Sequence, residues 1–374
     1  MTRRQLIFAA LGGAAVLASI LLAVLFAFAP VKTELCRIVL AKTGRTLAID
    51  GDLQWSLWPR LALGVGRTAL SEKDGKQEFA HLERASLAVA LLPLLSGQVV
   101  ADRVEIAGLR AAIVMHKDGS LNIDDLFSHQ DGGPLQADIA GVRLSDARLD
   151  WRDEKSGLVA ALDDIQLTSG PIHADTGRHT YRIDDVAVSG RYADSTAKFD
   201  LTRIEADAAS LKIAQLGMDL DARVGEAAVV GRLDSALEID LAKHAGRLPN
   251  LAGSFAARHP LLPINPMKLS LAGSGTLDLA GPAAKFVLTT EFDGSRLKGR
   301  LNFERFSPLA LGVDLDIDRL DMDRYRSSRP TATTKAEQPN FAFLTSLGVH
   351  GTVRIGSLRV AGVRAADVSL QLGD

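Results

Sequence analysis

Residues 47–65 read LAIDGDLQWSLWPRLALGV, and one parity of positions is oily. Leu47, Ile49, Leu53, Trp55, Leu57, Leu61, Leu63 and Val65 fall on it, with Asp50, Asp52, Gln54, Ser56 and Arg60 between them. Side chains alternate across a strand, so the segment is extended, with one apolar and one wet face. The same period returns for most of the chain. Leu87, Val89 and Leu91 carry it until Pro93 and Gly97 interrupt, and Val100, Val104 and Ile106 resume it. Parity flips at Gly108, where a bulge or tight bend accounts for the slip, and Ala111, Ile113 and Met115 continue.

Further strands are expected at 158–167, 198–204, 210–220, 227–239, 269–279, 285–292, 297–303 and 352–372, with Gly, Asp or Ser at the joins. Asp118-Gly119 reads as a turn and 122–127 as a short capped helical turn. Segments 79–85 and 237–247 carry enough helix formers to predict two more short helices. Between 311 and 322 the alternation is strong: Leu311, Val313, Leu315 and Ile317 face one way, Asp314, Asp316 and Asp318 the other. A calcium loop with this acid spacing bends at a glycine, and Arg319 stands there, so a solvated strand face is the better reading. Residues 327–340, SSRPTATTKAEQPN, hold almost no large apolar residue and read as a flexible linker.

The first thirty residues differ in kind. Arg3 and Arg4 precede an uncharged apolar run from Leu6 to Phe28, long enough at about 1.5 Å per residue to cross a hydrocarbon core of about 30 Å. The positive pair places the N-terminus in the cytoplasm and the rest of the chain outside it. Ala27-Phe28-Ala29 has the form of a signal cleavage site, but the run exceeds the roughly 7–15 residues of a signal peptide, and Pro30 would follow the cut. A retained anchor is therefore expected.

Chemistry is sparse. With 43 lysines and arginines against 45 aspartates and glutamates, the chain has no field to draw nucleic acid. Cys36 is the single cysteine, which excludes an internal disulfide. No phosphate loop occurs, the eight histidines are scattered, and the paired acids Asp163-Asp164 and Asp184-Asp185 sit at expected turns. No catalytic residue, metal site or cofactor is expected.

Several of these features occur together in one family. The apolar N-terminal run, Gly44-Arg45 and Gly51 ahead of Trp55-Ser56-x-x-Pro59, Pro93-Leu94-Leu95-x-Gly97, and Asp118-Gly119-x-x-Asn122 resemble the N-terminal region of the AsmA family. Residues 315–325 and the strands after Gly351 resemble its later parts, and family members usually continue past the point where this chain ends. The resemblance implies a bacterial inner-membrane protein with most of its chain in the periplasm. It also implies kinship with bridge-like lipid transport proteins and a role in outer-membrane biogenesis and lipid homeostasis.

The expected architecture is mainly β: a transmembrane helix (6–28, within 1–30), then a long antiparallel sheet (31–326) curled into a groove, with a few short helices. The linker (327–340) and the start of a truncated C-terminal β module (341–374) follow. Groove-lining residues are expected at Leu53, Trp55, Leu57, Leu61, Leu63, Val65, Leu87, Val89, Val104, Ile106, Leu311, Val313, Leu315 and Ile317, with Trp58 outside beside the bend at Pro59. The expected partners are phospholipid, the inner membrane, and outer-membrane or periplasmic proteins. The competing reading is a membrane-anchored scaffold for outer-membrane protein assembly, its sheet closed and dry. An anchored hydrolase ranks third.

Overall fold

The structure is a computed structural model. It describes residues 31–373 apart from 52, 57–59, 74, 76, 95, 97, 128–134, 261–264, 282, 293, 307–308 and 326–347. The expected span between Leu6 and Phe28 and the expected linker at 327–340 lie outside the described residues. Among those residues, no helix is long and apolar enough to cross a membrane. The fold is mainly β, in two compact units, Met1–Ala208 and Ala209–Asp374.

Unit one begins with helix α1 (Val31–Thr43), which ends where Gly44 takes φ +71° and donates its N–H to Leu40 O. Strands follow in collinear groups. The first group is β1 (Leu47–Ile49) with β2 (Leu53–Ser56), returned by β3 (Leu61–Val65) with β4 (Thr68–Ser71). Next come β5 (Glu78–Leu82) with β6 (Arg84–Val89), then, past helix α2 (Leu91–Leu94), β7 (Gln98–Ala101), β8 (Val104–Ala107) and β9 (Arg110–Met115). After helix α3 (Asp124–Phe127), β10 (Gln136–Ile139) with β11 (Val142–Asp153) runs out, and β12 (Val159–Ser169) with β13 (Ile172–Asp175) runs back. Strands β14 (Thr180–Tyr192) and β15 (Ser195–Ala206) complete the unit.

Each group hydrogen-bonds to the next in chain order, as in a meander. One junction is parallel: β10 lies along β7, and β11 along β8 and then β9. A parallel neighbour requires a crossover, and the chain between β9 and β10, in which α3 lies, makes that connection.

Two lines of bends cross this sheet. One runs through Glu83, Gly108, Asp146 and Asp164, the last three at φ +65°, +50° and +52°. Along it, Glu83 N donates to Ala107 O and Gly108 N to Ser145 O. The other runs through Asp102, Gly141, Gly170, Asp184 and Arg203, the last at φ +48°. Bulges that recur in register bend neighbouring strands together, so the sheet curls instead of extending flat. The bend anticipated at Gly108 belongs to the first line.

Unit two is a second meander: β16 (Ser210–Val224), β17 (Ala227–Asp240), β18 (Ala245–Arg258), β19 (Met267–Asp278), β20 (Ala283–Phe292), β21 (Ser295–Phe306), β22 (Leu309–Asp321), β23 (Val349–Val360) and β24 (Val363–Leu372). Each pairs with the next, antiparallel except for β22 with β23. The strands after Gly348 thus join the sheet that precedes them. Register breaks at 214–215, 235–237 and 249–250 lie on consecutive strands, the bending device of unit one again.

Neither expected helix at 79–85 or 237–247 forms. Phe79 and Ala85 lie in β5 and β6, whose pairing with β4 and β3 outweighs local propensity. The second segment is a hairpin: Asp240 accepts from Lys243 N, His244 takes φ +56°, and Ile239 pairs with Gly246.

Candidate functional site

Unit two has one apolar sheet face, over which the unit's described residues place no second layer. Cross-strand partners share a face, so register traces apolar rows across the strands. One row runs Leu251–Gly273–Leu288–Gly299–Leu315–Val353–Leu370, and a second runs Leu248–Gly275–Phe286–Leu301–Val313–Gly351–Leu372. A third, Leu271–Thr290–Leu297–Ile317–Ile355–Val368, carries a single hydroxyl. Phe286 and Leu288 on this face are half-buried, whereas Val287 between them, facing outward, is 58% exposed. The unit's described residues contain no α-helix, only a 3-10 turn at Met322–Tyr325, so they provide no helical cover for the face.

Glycines set the floor. A Cβ at Gly275 would lie 2.7 Å from the Phe286 ring, one at Gly299 2.7 Å from Leu315 Cδ2, and one at Gly273 2.0 Å from Val287 O. Bulky side chains therefore fold flat over their glycine neighbours, and Phe286 meets Phe303 edge to face at 5.8 Å.

The opposite face is ionic. Arg232 reaches Asp219 at 2.8 Å across to β16, and Arg354 reaches Asp316 at 3.5 Å. Asp314, Asp316 and Asp318 are exposed there, and Asp318 accepts from Arg296 N at 2.9 Å, the solvated ladder that the alternation implied. In unit one, Arg148–Asp163 and Arg191–Asp164, both at 2.8 Å, link neighbouring strands. Among the described residues, no group of three or more metal-ligating side chains converges.

The anticipated lining residues separate into two places. Leu311, Leu315 and Ile317 are half-buried and Val313 is buried, all on the apolar face of unit two. Leu63, Val65, Leu87, Val89 and Val104 are buried in unit one, with Leu53, Leu61 and Ile106 half-buried beside them. Val89, at 0% exposure, has no surface to offer a ligand. Trp55 pairs in register with Leu63, while Leu57, Trp58 and Pro59 lie outside the described residues. More accessible apolar strand positions of unit one include a row through Leu144, Leu167, Val188 and Phe199 and the pair Leu149–Leu162, with Phe199 and Leu162 each 37% exposed. Their alternation was equally present in the sequence.

A polar clasp holds the start of unit one. Arg45, with no exposed surface, donates to both carboxylate oxygens of Asp125, to the carbonyls of Ser71 and Asn122, and to Glu72. Its guanidinium lies 4.7 Å from the centre of the Phe79 ring. Asn122 exchanges hydrogen bonds with the backbone of Val114 and donates to Glu72 at 2.7 Å. Burial alone would raise the Asp125 carboxyl, but the hydrogen bonds and charge of Arg45 outweigh it and hold the group below the usual carboxylate range. Gly44-Arg45 and Asp118-Gly119-x-x-Asn122, far apart in sequence, thus belong to one structural unit.

The sequence model described as AsmA family matches residues 1–216. Protein AsmA of Escherichia coli (strain K12) is 24% identical over 356 residues, covering 89% of this chain and 53% of its own. The chain spans about half the length of that curated relative.

Proposed function

The chain belongs to the AsmA family, and on that premise we propose that it is a bacterial inner-membrane protein whose periplasmic sheet holds phospholipid in an apolar trough and passes it along, in outer-membrane biogenesis. The observation that carries this reading is the nearly unbroken apolar face of unit two, which supports an oily guest on one side of the sheet and water on the other.

Dimensions and energetics agree with such a guest. From Leu297 through Gly299 and Leu301 to Phe303 the face advances three same-side steps, about 20 Å at roughly 3.4 Å per residue. A single leaflet of hydrocarbon is about 15 Å deep. Moving roughly thirty lipid methylenes into water costs about 25 kcal/mol, at about 0.8 kcal/mol each. An apolar floor removes most of that barrier and needs no reacting residue, while the headgroup stays in water at the rim.

The test is a photoreactive side chain placed in cells at Leu315 or at its outward neighbour Asp316, followed by extraction and mass spectrometry of crosslinked lipid. Phospholipid adducts at Leu315 and none at Asp316 are expected. Equal labelling at both, or protein adducts alone at Leu315, overturns the trough and favours the scaffold reading.

A further inference from the structure

The α2 end of unit one carries a largely exposed apolar side chain. Leu92, in the helix between β6 and β7, is 80% exposed, whereas Leu94 in the same turn packs against Val99 and its neighbours. Register brings a second turn to the same edge: Gln136 pairs with both Gln98 and Asp175, so 176–179 lies at the end that α2 occupies. That turn presents Arg178, 81% exposed at its side chain, and is followed by Tyr181, 38% exposed. A leucine, a tyrosine and an arginine on one rim are the residue types that settle at the boundary between hydrocarbon and water.

The course of α1 selects the occupant. The helix ends at Thr43, β1 starts at Leu47, and Cys36, two turns back, packs against Ile49. Helix and strand are therefore antiparallel. Strand β1 runs toward the α2 end, because its continuation β2 is returned by β3 and Leu61 pairs with Val89, the last residue of β6, one position short of α2. The N-terminus of α1, where the chain arrives from the expected anchor at 6–28, points toward that end as well.

We infer that the α2 end of unit one rests on the bilayer that holds the anchor, with Leu92 dipping below the headgroups and Tyr181 and Arg178 at their level. This second membrane contact requires the anchor reading and is independent of whether the trough carries lipid.

The test uses the full chain in phosphatidylcholine–phosphatidylglycerol vesicles, in a Cys36→Ser background, with a nitroxide at Leu92→Cys, Arg178→Cys or Ser156→Cys. Ser156 lies in the β11–β12 turn at the far end of the unit. Collisions with oxygen, which enters hydrocarbon, are compared with those of a water-soluble nickel chelate. The oxygen-to-nickel ratio at 92 is expected to stand severalfold above that at 156, with 178 between them. A ratio at 92 equal to that at 156 overturns the contact. Leu92 is exposed, so its replacement removes little packing, and the label at 178 reads the same surface if the first variant misfolds. Lipid adducts at Leu315 vary independently: their absence with a buried label at 92 removes the trough alone, and their presence with an exposed label removes this contact alone.

Discussion

Arg45 and Asp125, eighty positions apart, meet through two parallel hydrogen bonds, Nε to Oδ2 at 2.9 Å and Nη2 to Oδ1 at 2.8 Å. The pair joins the end of α1 to the crossover that delivers the parallel strand. Removing one partner of a buried ion pair strands the other. Arg45→Ala is expected to lower the unfolding free energy by about 3 kcal/mol, near the low end because Asp125 and Glu72 keep some contact with water. Arg45→Lys recovers only part, since an ammonium cannot bond in parallel or stack flat on Phe79. Urea unfolding in detergent followed by tryptophan fluorescence measures both, and a Lys variant as stable as the parent would refute the geometric argument.

Acid should open the same clasp. The Asp125 carboxyl is held below its usual range in the folded chain, so its stabilising contribution is present above the unfolded value of about 4 and disappears as pH falls through the folded value. The urea midpoint is expected to decline below about pH 4, and Asp125→Asn, less stable at neutrality, should decline less. Asp118 and Asp153, lowered by the hydroxyls of Ser120 and Ser156, retain part of the slope in that variant. A pH profile unchanged by Asp125→Asn would dissociate the carboxylate from acid unfolding.

The glycines on the apolar face of unit two make an ordered prediction. At Gly273 a methyl would strike the backbone oxygen of Val287, at Gly275 a phenyl ring, and at Gly299 only the mobile tip of Leu315. Alanine substitutions should therefore destabilise in that order, by about 3 kcal/mol falling to below about 1 kcal/mol. Gly157→Ala, at φ +74° with nothing within 4 Å, is expected to lose about 1 kcal/mol from backbone strain alone. Thermal and urea midpoints of the four variants test the ranking, and equal losses at Gly273 and Gly299 would contradict the close packing described.

Period-two alternation made the strand content legible, and rows such as Leu311–Val313–Leu315–Ile317 could be assigned to one face before any pairing was known. Alternation does not tell which apolar faces meet a partner. Leu63, Leu87 and Val89 obey the same rule as Leu315, yet they pack into a core because the short strands of unit one bend around them. The bend lines were mostly invisible, since an aspartate or arginine in a strand gives no sign that its φ is positive; only Gly108 declared itself. The segment 237–247 misleads because its leucines and alanines suit a helix, while the capping of its turn by Asp240 becomes evident only in the fold. Arg45 and Asn122 stand out in the sequence as parts of motifs, but their meeting depends on a crossover whose path local pattern does not encode.

The bend lines are testable at Arg203, whose φ of +48° is a left-handed conformation that costs a residue with a Cβ roughly 1–2 kcal/mol. Glycine relieves that strain but loses about 0.5–1 kcal/mol through the freedom of its unfolded chain. Arg203→Gly is thus expected to leave stability unchanged or raise it by up to about 1.5 kcal/mol. Leu201→Gly, two positions earlier and paired with Val186 in regular strand, removes a half-buried side chain and should lose at least about 2 kcal/mol. The contrast between two glycines on one strand, read from urea midpoints, separates a bulge from ordinary ladder. If Arg203→Gly proved as damaging as Leu201→Gly, the strand would be straight at that position, and the second bend line would end at Asp184.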